Sequence, residues 1–424
     1  MPILHFYKGK TPSVPAGIFL KLGEHVLTGE KNFSDNFGPT TTLEADLLTL
    51  AAAIFAADRG CLRGEREDFS RSLELHVPVV NVGRLLPLAT KVEEILRTLS
   101  NDNWTLNLRQ ENGTCEPAHP KKLGAGKVLL FSGGLDSLAA ALEFSSEKTP
   151  LALISHVTRN PQMAKAQILL KDAVEAKGAN IEHHTFFVSS RNVGAFVHDV
   201  ESSQRTRSFA FLTLAALSAR RLNRREVVMI AENGQMAIHL PLNSARIGAF
   251  STHTAHPEVL AGMQQFLRAA LEIDISISNP YVFKTKREVI APVVARTPEA
   301  IAVSNSCWKS ARLPKNASHC GECIPCFIRR IAVESYLPDP TAYARDVFKE
   351  DFGSLAPGDE GRRNLADFAE FTIKFETMSD TELLDEWPEL FGIDSIPAIK
   401  MYRRAAADTR KVLTRYRGGK QALQ

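Results

Sequence analysis

Ser132-Gly133-Gly134-Leu135-Asp136-Ser137 lies between two apolar runs, Lys127-Val128-Leu129-Leu130-Phe131 in front and Leu138-Ala139-Ala140-Ala141-Leu142 behind. The first run predicts a buried parallel strand and the second a helix, so the glycines mark the turn between them. Such a turn lets the backbone approach an anion, toward which the unpaired N–H groups and dipole of the helix point. Ser132 and Ser137 can donate to phosphate oxygens, and Asp136 can hold a magnesium ion that bridges them. The chemistry expected is pyrophosphate binding. Five fixed positions make a chance match on the order of one in two thousand. A plainer alternative is a glycine turn in which Ser137 or Asp136 merely caps the helix. A Walker-type loop is excluded, because its Lys-Ser/Thr ending is missing.

Four of the six cysteines crowd into twenty residues: Cys307, then Cys320-Gly321-Glu322-Cys323-Ile324-Pro325-Cys326, with Cys61 and Cys115 elsewhere. That spacing suits four thiolates around zinc, a closed and therefore structural site that ties a long loop to a helix beginning near Phe327. Disulfides are the alternative. They fit poorly, since nothing in Met1 to Lys8 resembles a signal peptide and a cytoplasmic chain seldom carries disulfides.

The Ser-Gly-Gly-x-Asp-Ser loop resembles that of the PP-loop ATP pyrophosphatases, which split ATP between its α and β phosphates. The loop, the cysteine cluster and the stretch Phe211-Leu212-Thr213-Leu214-Ala215-Ala216 together resemble the QueC family of 7-cyano-7-deazaguanine synthases over about residues 124 to 335. Thr206-Arg207-Ser208 stands where that family has Gly-Arg-Asn, and Pro280 with Lys286-Arg287-Glu288 where it has a Pro and a Lys-x-Glu segment. Trp308 and Arg329 match its residues after the first and last cysteines. The resemblance implies ATP-dependent adenylation of the carboxylate of 7-carboxy-7-deazaguanine, followed by attack of an amine. Ser132, Gly133, Gly134, Leu135, Asp136 and Ser137 would hold ATP and Mg²⁺. Lys286 is a candidate phosphate or carboxylate contact against the alternative of a solvated helix start, and Arg207 a candidate oxygen contact against that of a surface arginine.

Departures matter as much. The synthase carries Tyr-Gly-Gln-x-His after its second strand, whereas this chain reads Ser155-His156-Val157-Thr158-Arg159-Asn160-Pro161. The region after the fourth strand, Glu232-Asn233-Gly234-Gln235 and then Phe250 to Glu258, also differs. His253 and His256 either contact a reactant or simply cap a helix that has Pro257 in its first turn. A rebuilt acceptor side with extensions at both ends is similar to the QueC-like proteins of the Qat and type IV CBASS anti-phage groups. That likeness implies a partner protein whose N-terminal amine is the acceptor. Other readings are an ammonia-using synthase of queuosine or archaeosine supply, another PP-loop enzyme such as a tRNA-thiolating or lysidine-forming type, and a non-catalytic nucleotide-binding scaffold of a defence complex.

The elements that must position these residues follow from the apolar pattern. Strands are expected at Val128–Phe131, Leu151–Val157, His184–Val188, Val227–Ala231 and Asp274–Ser278, alternating with helices. This predicts an α/β domain, a parallel Rossmann-like sheet with helices on both faces, of the adenine-nucleotide hydrolase PP-loop type that the resemblance implies. At 424 residues the chain exceeds one ordinary domain. The expected division is an N-terminal α+β domain over 1–110, a linker over 111–126, the PP-loop domain with its four-cysteine site over 127–335, and a helical extension over 336–424. In the first part, strands are expected at Gly17–Leu22, Leu73–Val79 and Trp104–Leu108, and helices over Leu43–Asp58 and near Val92–Leu99. Arg59, Arg63 and Arg66 with Glu65 and Asp68 read as mixed surface. The apolar segment Leu383 to Phe391 is expected to dock on the core. The basic run from Lys400 to Lys420 reads as a solvated helix face rather than an RNA site, and a net charge of +3 gives nucleic acid no further support. There is no apolar span of membrane length.

Overall fold

The computed structural model describes residues 1–14, 16–63, 70–114, 122–145, 150–157, 161–190, 201, 203–228, 231–243 and 253–424. Cys115, Glu65, Arg66, Asp68, Thr158 to Asn160 and Phe250 to Thr252 lie outside them.

The strands of the described residues are β1 (Ile3–Tyr7), β2 (Ile18–Lys21), β3 (Val26–Leu27), β4 (Ser72–Val79), β5 (Asn103–Gln110), β6 (Gly124–Leu130), β7 (Leu151–His156), β8 (Ile181–Phe186), β9 (Ser189–Ser190), β10 (Arg224–Val228) and β11 (Ser276–Ser278). The central sheet runs β11-β10-β6-β7-β8 with every pair parallel. Val128, Leu129, Ala152 and Leu153 are wholly buried, as a parallel strand covered on both faces requires. The chain is α/β as the alternation predicts, with helices Leu135–Phe144 and Lys286–Arg296 on one face and Arg207–Arg221 and Pro257–Leu271 on the other. Strand order reverses between β6 and β10, and open α/β sheets bind ligands outside the carboxyl ends of the strands at such a point.

The N-terminal sheet, β2-β1-β4-β5, is also entirely parallel. Its helix Thr42–Gly60 starts at a capping box made by Thr41 and Glu44 and lies on Arg207–Arg221, while Ala89–Ser100 lies on Pro257–Leu271. One continuous core therefore runs from Leu4, Phe6 and Leu75 through Leu48 and Ile95 to Phe209, Phe266 and Val128. β3 and β9 add a short antiparallel pair between the two regions.

Arg59 and Arg63 are not the mixed surface that their charge suggests. The Arg63 side chain is 8 % exposed and forks onto Asp102 at 2.6 and 2.7 Å, and Arg59 lines a cleft. Asp102 and Asp58 are wholly buried carboxylates, and guanidinium groups folded onto them balance their charge. At the other end, Phe371, Phe375, Leu383, Trp387, Leu390 and Tyr402 form a core with Ile238 and Leu240, so the C-terminal helices are docked against the central region. The basic run there is a paired helix face: Arg403, Arg404, Arg410 and Arg417 meet Asp380, Glu288, Glu376 and Asp351. No helix of the described residues is long and apolar enough to cross a membrane.

Candidate active site

β6 stops at Leu130, and Phe131 makes the last ladder bond to the Ile154 carbonyl at 2.8 Å. Gly133 then takes φ +86°, a conformation glycine adopts at little cost, and a Cβ there would crowd Gln167 Cγ at 3.2 Å. From behind, the Asn305 N–H donates to the Gly133 carbonyl at 3.0 Å. Gly134 caps the helix Leu135–Phe144 without a side-chain hydrogen bond, and the first intrahelical bond is Leu138 N–H to Gly134 O. The amides of Leu135, Asp136 and Ser137 thus precede the helical ladder and remain free for an anion. Ser137 Oγ lies 3.3 Å from Ser132 Oγ and donates to the Gly134 carbonyl at 3.0 Å. Neither Ser137 nor Asp136 acts as the N-cap, so the simple-cap alternative does not describe this turn.

Asp136 points instead across the switch point. Its Oδ2 accepts from the Asn233 side-chain amide at 2.8 Å and the Asn233 N–H at 3.2 Å, and its Oδ1 meets Lys286 Nζ at 2.7 Å. Asn233 follows β10, and Lys286 opens the helix Lys286–Arg296, whose N-terminus is fixed by a capping box of Thr285 and Glu288. Lys286 is buried, at 7 % exposure, which removes the solvated-helix-start alternative. Glu232 adjoins the same group. Burial, then the charge of Asp136, pushes its carboxyl up to about 7, against the pull of Lys286 and Arg207.

The sulfurs of Cys307, Cys320, Cys323 and Cys326 are all buried and lie within 4.8 Å of one another, with Cys323 and Cys326 3.4 Å apart and Cys320 and Cys326 3.8 Å apart. Tetrahedral ligands about 2.3 Å from a metal lie about 3.8 Å apart, so the cluster is shaped for an ion. Gly321 makes the tight turn between two of them at φ +79°, where a Cβ would collide with the Arg345 carbonyl. The cluster is tied to the loop Ser132 to Ser137. Cys307 N–H donates to Asn305 Oδ1 at 3.0 Å, and Asn305 is the residue that holds Gly133. Arg329, fully buried, donates to Ser304 and Ser306 at 2.9 and 3.2 Å and to the Ile301 carbonyl, fixing the same loop from the helix Ile324–Glu334.

Beside this group opens a cleft of about 1270 Å³. Arg207 lines it at the start of Arg207–Arg221, stacked on Phe211 with 5.2 Å to the ring centroid. Water reaches this guanidinium, yet enclosure in the cleft lowers its pKa, as does nearby Arg59, while Glu232 raises it. Its turn is held by the N-terminal region, where Asp58 Oδ2 accepts from Thr206 N–H and Oγ1 at 3.0 and 3.2 Å. His256 caps Pro257–Leu271, as the simpler of the two readings of that histidine has it, and also faces the cleft beside His253. Burial first of all pushes both imidazoles down to about 4 and leaves them neutral at pH 7.

The sequence model of the family described as "Queuosine biosynthesis protein QueC" matches residues 126–337, half of the chain. The chain belongs to the QueC family. Membership brings ATP-dependent, 7-deazaguanine-related chemistry. No curated protein matches the chain.

The matched QueC segment contains the loop, Asn233, Lys286 and all four cysteines, but not the whole cleft. Arg59, Arg63 and Arg97 line it from in front of that segment, and Phe368, Phe371 and Tyr402 from behind. Of the residues singled out in the sequence, Ser132 to Ser137 and Lys286 come together at the switch point. Arg207 stands apart in the cleft, and the cysteines form a separate cluster joined through Asn305. Sequence reasoning missed Asn305, which carries no motif. It also missed the pairing of Asn233 with Asp136, although an Asn-Gly step directly after a central strand is where a switch-point contact belongs.

Proposed function

We propose that this protein uses ATP to adenylate the carboxylate of 7-carboxy-7-deazaguanine and transfers the acyl group to an amine, that of a partner protein's N-terminus in an anti-phage defence system. The observation that carries the acceptor half is the cleft: regions on both sides of the QueC segment add to its walls, and it far exceeds what ammonia needs. The activation half rests on the family and the loop.

In the first step a substrate carboxylate oxygen attacks the α-phosphorus and pyrophosphate leaves, with charge growing on the leaving oxygens. The amides of Leu135 to Ser137 and the hydroxyls of Ser132 and Ser137 are set to stabilise that charge. Asp136, with Glu232 beside it, would hold a magnesium ion through its carboxylate oxygens, where the ion would offset charge on the pyrophosphate, and Lys286 places its ammonium group at the same carboxylate. In the second step the amine nitrogen attacks the acyl carbon, AMP leaves, and the nitrogen gives up a proton. Neutral His253 in the cleft wall is the base we assign to it, and among the described residues its buried Nδ1 has no hydrogen-bond partner. Zinc fits the four-cysteine cluster in a structural role, since four thiolates leave no open position.

The test is mass spectrometry of the protein incubated with Mg-ATP and 7-carboxy-7-deazaguanine, with ammonia in one reaction and candidate partner proteins in another. A deazaguanine mass on a partner's amino terminus is expected. A nitrile formed with ammonia alone would make the protein a 7-cyano-7-deazaguanine synthase, and absence of AMP in every reaction would leave a nucleotide-binding scaffold.

A further inference from the structure

Arg59, Arg97, Arg207 and Arg312 all line the cleft, and among the described residues none has a carboxylate within ion-pair distance. This contrasts with the C-terminal helices, where Arg403, Arg404, Arg410 and Arg417 are each paired. Arg59 and Arg207 line the same cleft, where Arg59 disfavours the charged form of Arg207, and among the described residues the buried Arg59 Nε has no hydrogen-bond partner. Asp58 and Glu201 act on Arg59, and Glu232 on Arg207, from beyond ion-pair distance, so the guanidinium N–H donors stay open to a bound anion, which they can grip in pairs.

We infer that the cleft receives the acceptor as an acidic polypeptide segment, its carboxylates along the wall of Arg97, Arg312 and Arg59 and its free amino terminus leading toward Arg207 and the loop. This rests on the reading of the protein as an amine-acylating ligase. The cleft also carries Glu201, Glu258, Glu360 and Glu389. Those carboxylates oppose a phosphate backbone, which is negative at every residue, but they suit a chain that starts with an ammonium group and continues with acidic side chains. Apolar lining from Leu240, Pro241 and Phe371 gives the side chains between its charges a surface to lie on. Two of these arginines, Arg59 and Arg97, belong to the N-terminal region, which thereby acquires a part in choosing the acceptor.

The test uses the full chain and three ten-residue peptides with free amino termini and a carboxy-terminal fluorophore, alike except for four consecutive Glu, Ser or Lys residues from position three. Binding is read by fluorescence anisotropy, which needs no chemistry, and acylation by mass spectrometry with pyrophosphate release followed separately. The Glu peptide should bind at least tenfold more tightly than the Ser peptide, and the Lys peptide most weakly. In the double variant Arg97→Glu, Arg312→Glu, both positions being solvent-exposed, the order of Glu and Lys peptides should reverse. Equal binding of the three peptides by the unaltered protein would overturn the inference. So would a single-stranded RNA that binds more tightly than the Glu peptide and displaces it. Failure of pyrophosphate release with 7-carboxy-7-deazaguanine would strike the ligase reading instead, while the peptide order still decides the surface.

Discussion

Asp136 is the residue on which the loop, β10 and the Lys286 helix converge, and each of its oxygens already has a partner across the switch point. Asp136→Asn keeps the size and a contact to Asn233 but removes the charge that balances Lys286. AMP formation should fall at least about a hundredfold, the scale on which a single electrostatic group at developing charge matters, while the melting curve stays that of a folded protein. Its neighbour Glu232 predicts a pH dependence. The carboxyl titrates at about 7 in the folded chain against an ordinary value of 4.5. Between those values the folded protein keeps a proton that the unfolded chain has lost, so stability falls as pH rises through this window and stays lower above it. Glu232→Gln removes the effect, and its advantage in melting temperature over the unaltered protein should be larger at pH 8 than at pH 5. An equal difference at both pH values would show that Glu232 titrates normally.

At the scale of elements, the four-cysteine cluster acts on the pyrophosphate loop through Cys307, Asn305 and Gly133, with Arg329 holding the same segment from its helix. Cys320→Ser should therefore lower metal content and weaken ATP binding together, and a chelator should do the same to the unaltered protein. Calorimetric titration with a non-hydrolysable ATP analogue checks this, and metal loss with unchanged nucleotide affinity would sever the connection. Much of this arrangement was legible. The central strands, the loop and the cysteine spacing announce themselves because each is a local pattern of apolar runs, glycines or thiols. β1 did not, since Ile3-Leu4-His5-Phe6-Tyr7 is only five residues long and His5 interrupts the apolar run, although Leu4 and Phe6 end fully buried. Arg63 was read as surface because a buried arginine is recognisable only beside Asp58 and Asp102, and Asp102 is far from it in sequence. Arg59 and Arg207 likewise belong to one wall only after folding.

On the scale of the whole molecule, the N-terminal region is not an appendage. Its sheet and the central sheet share one core, and Asp58 reaches from the helix Thr42–Gly60 to hold the turn that carries Arg207. A region that stabilises the catalytic part only through a shared core unfolds with it, whereas a domain with its own core melts separately. Leu75, 1 % exposed in β4, is far from the loop in sequence and takes no part in it. Leu75→Ala should cost about 2–5 kcal/mol, the range for emptying a buried leucine site. That cost should appear at the opposite end of the fold: metal release from the four-cysteine cluster and loss of helical signal should shift to lower denaturant by the same amount, in one transition. If the N-terminal sheet instead melts first and leaves the metal bound, the two regions fold independently. The arginine wall would then be formed by docking of two domains, and the orientation of Arg59 toward Arg207 would depend on that docking rather than on the fold itself.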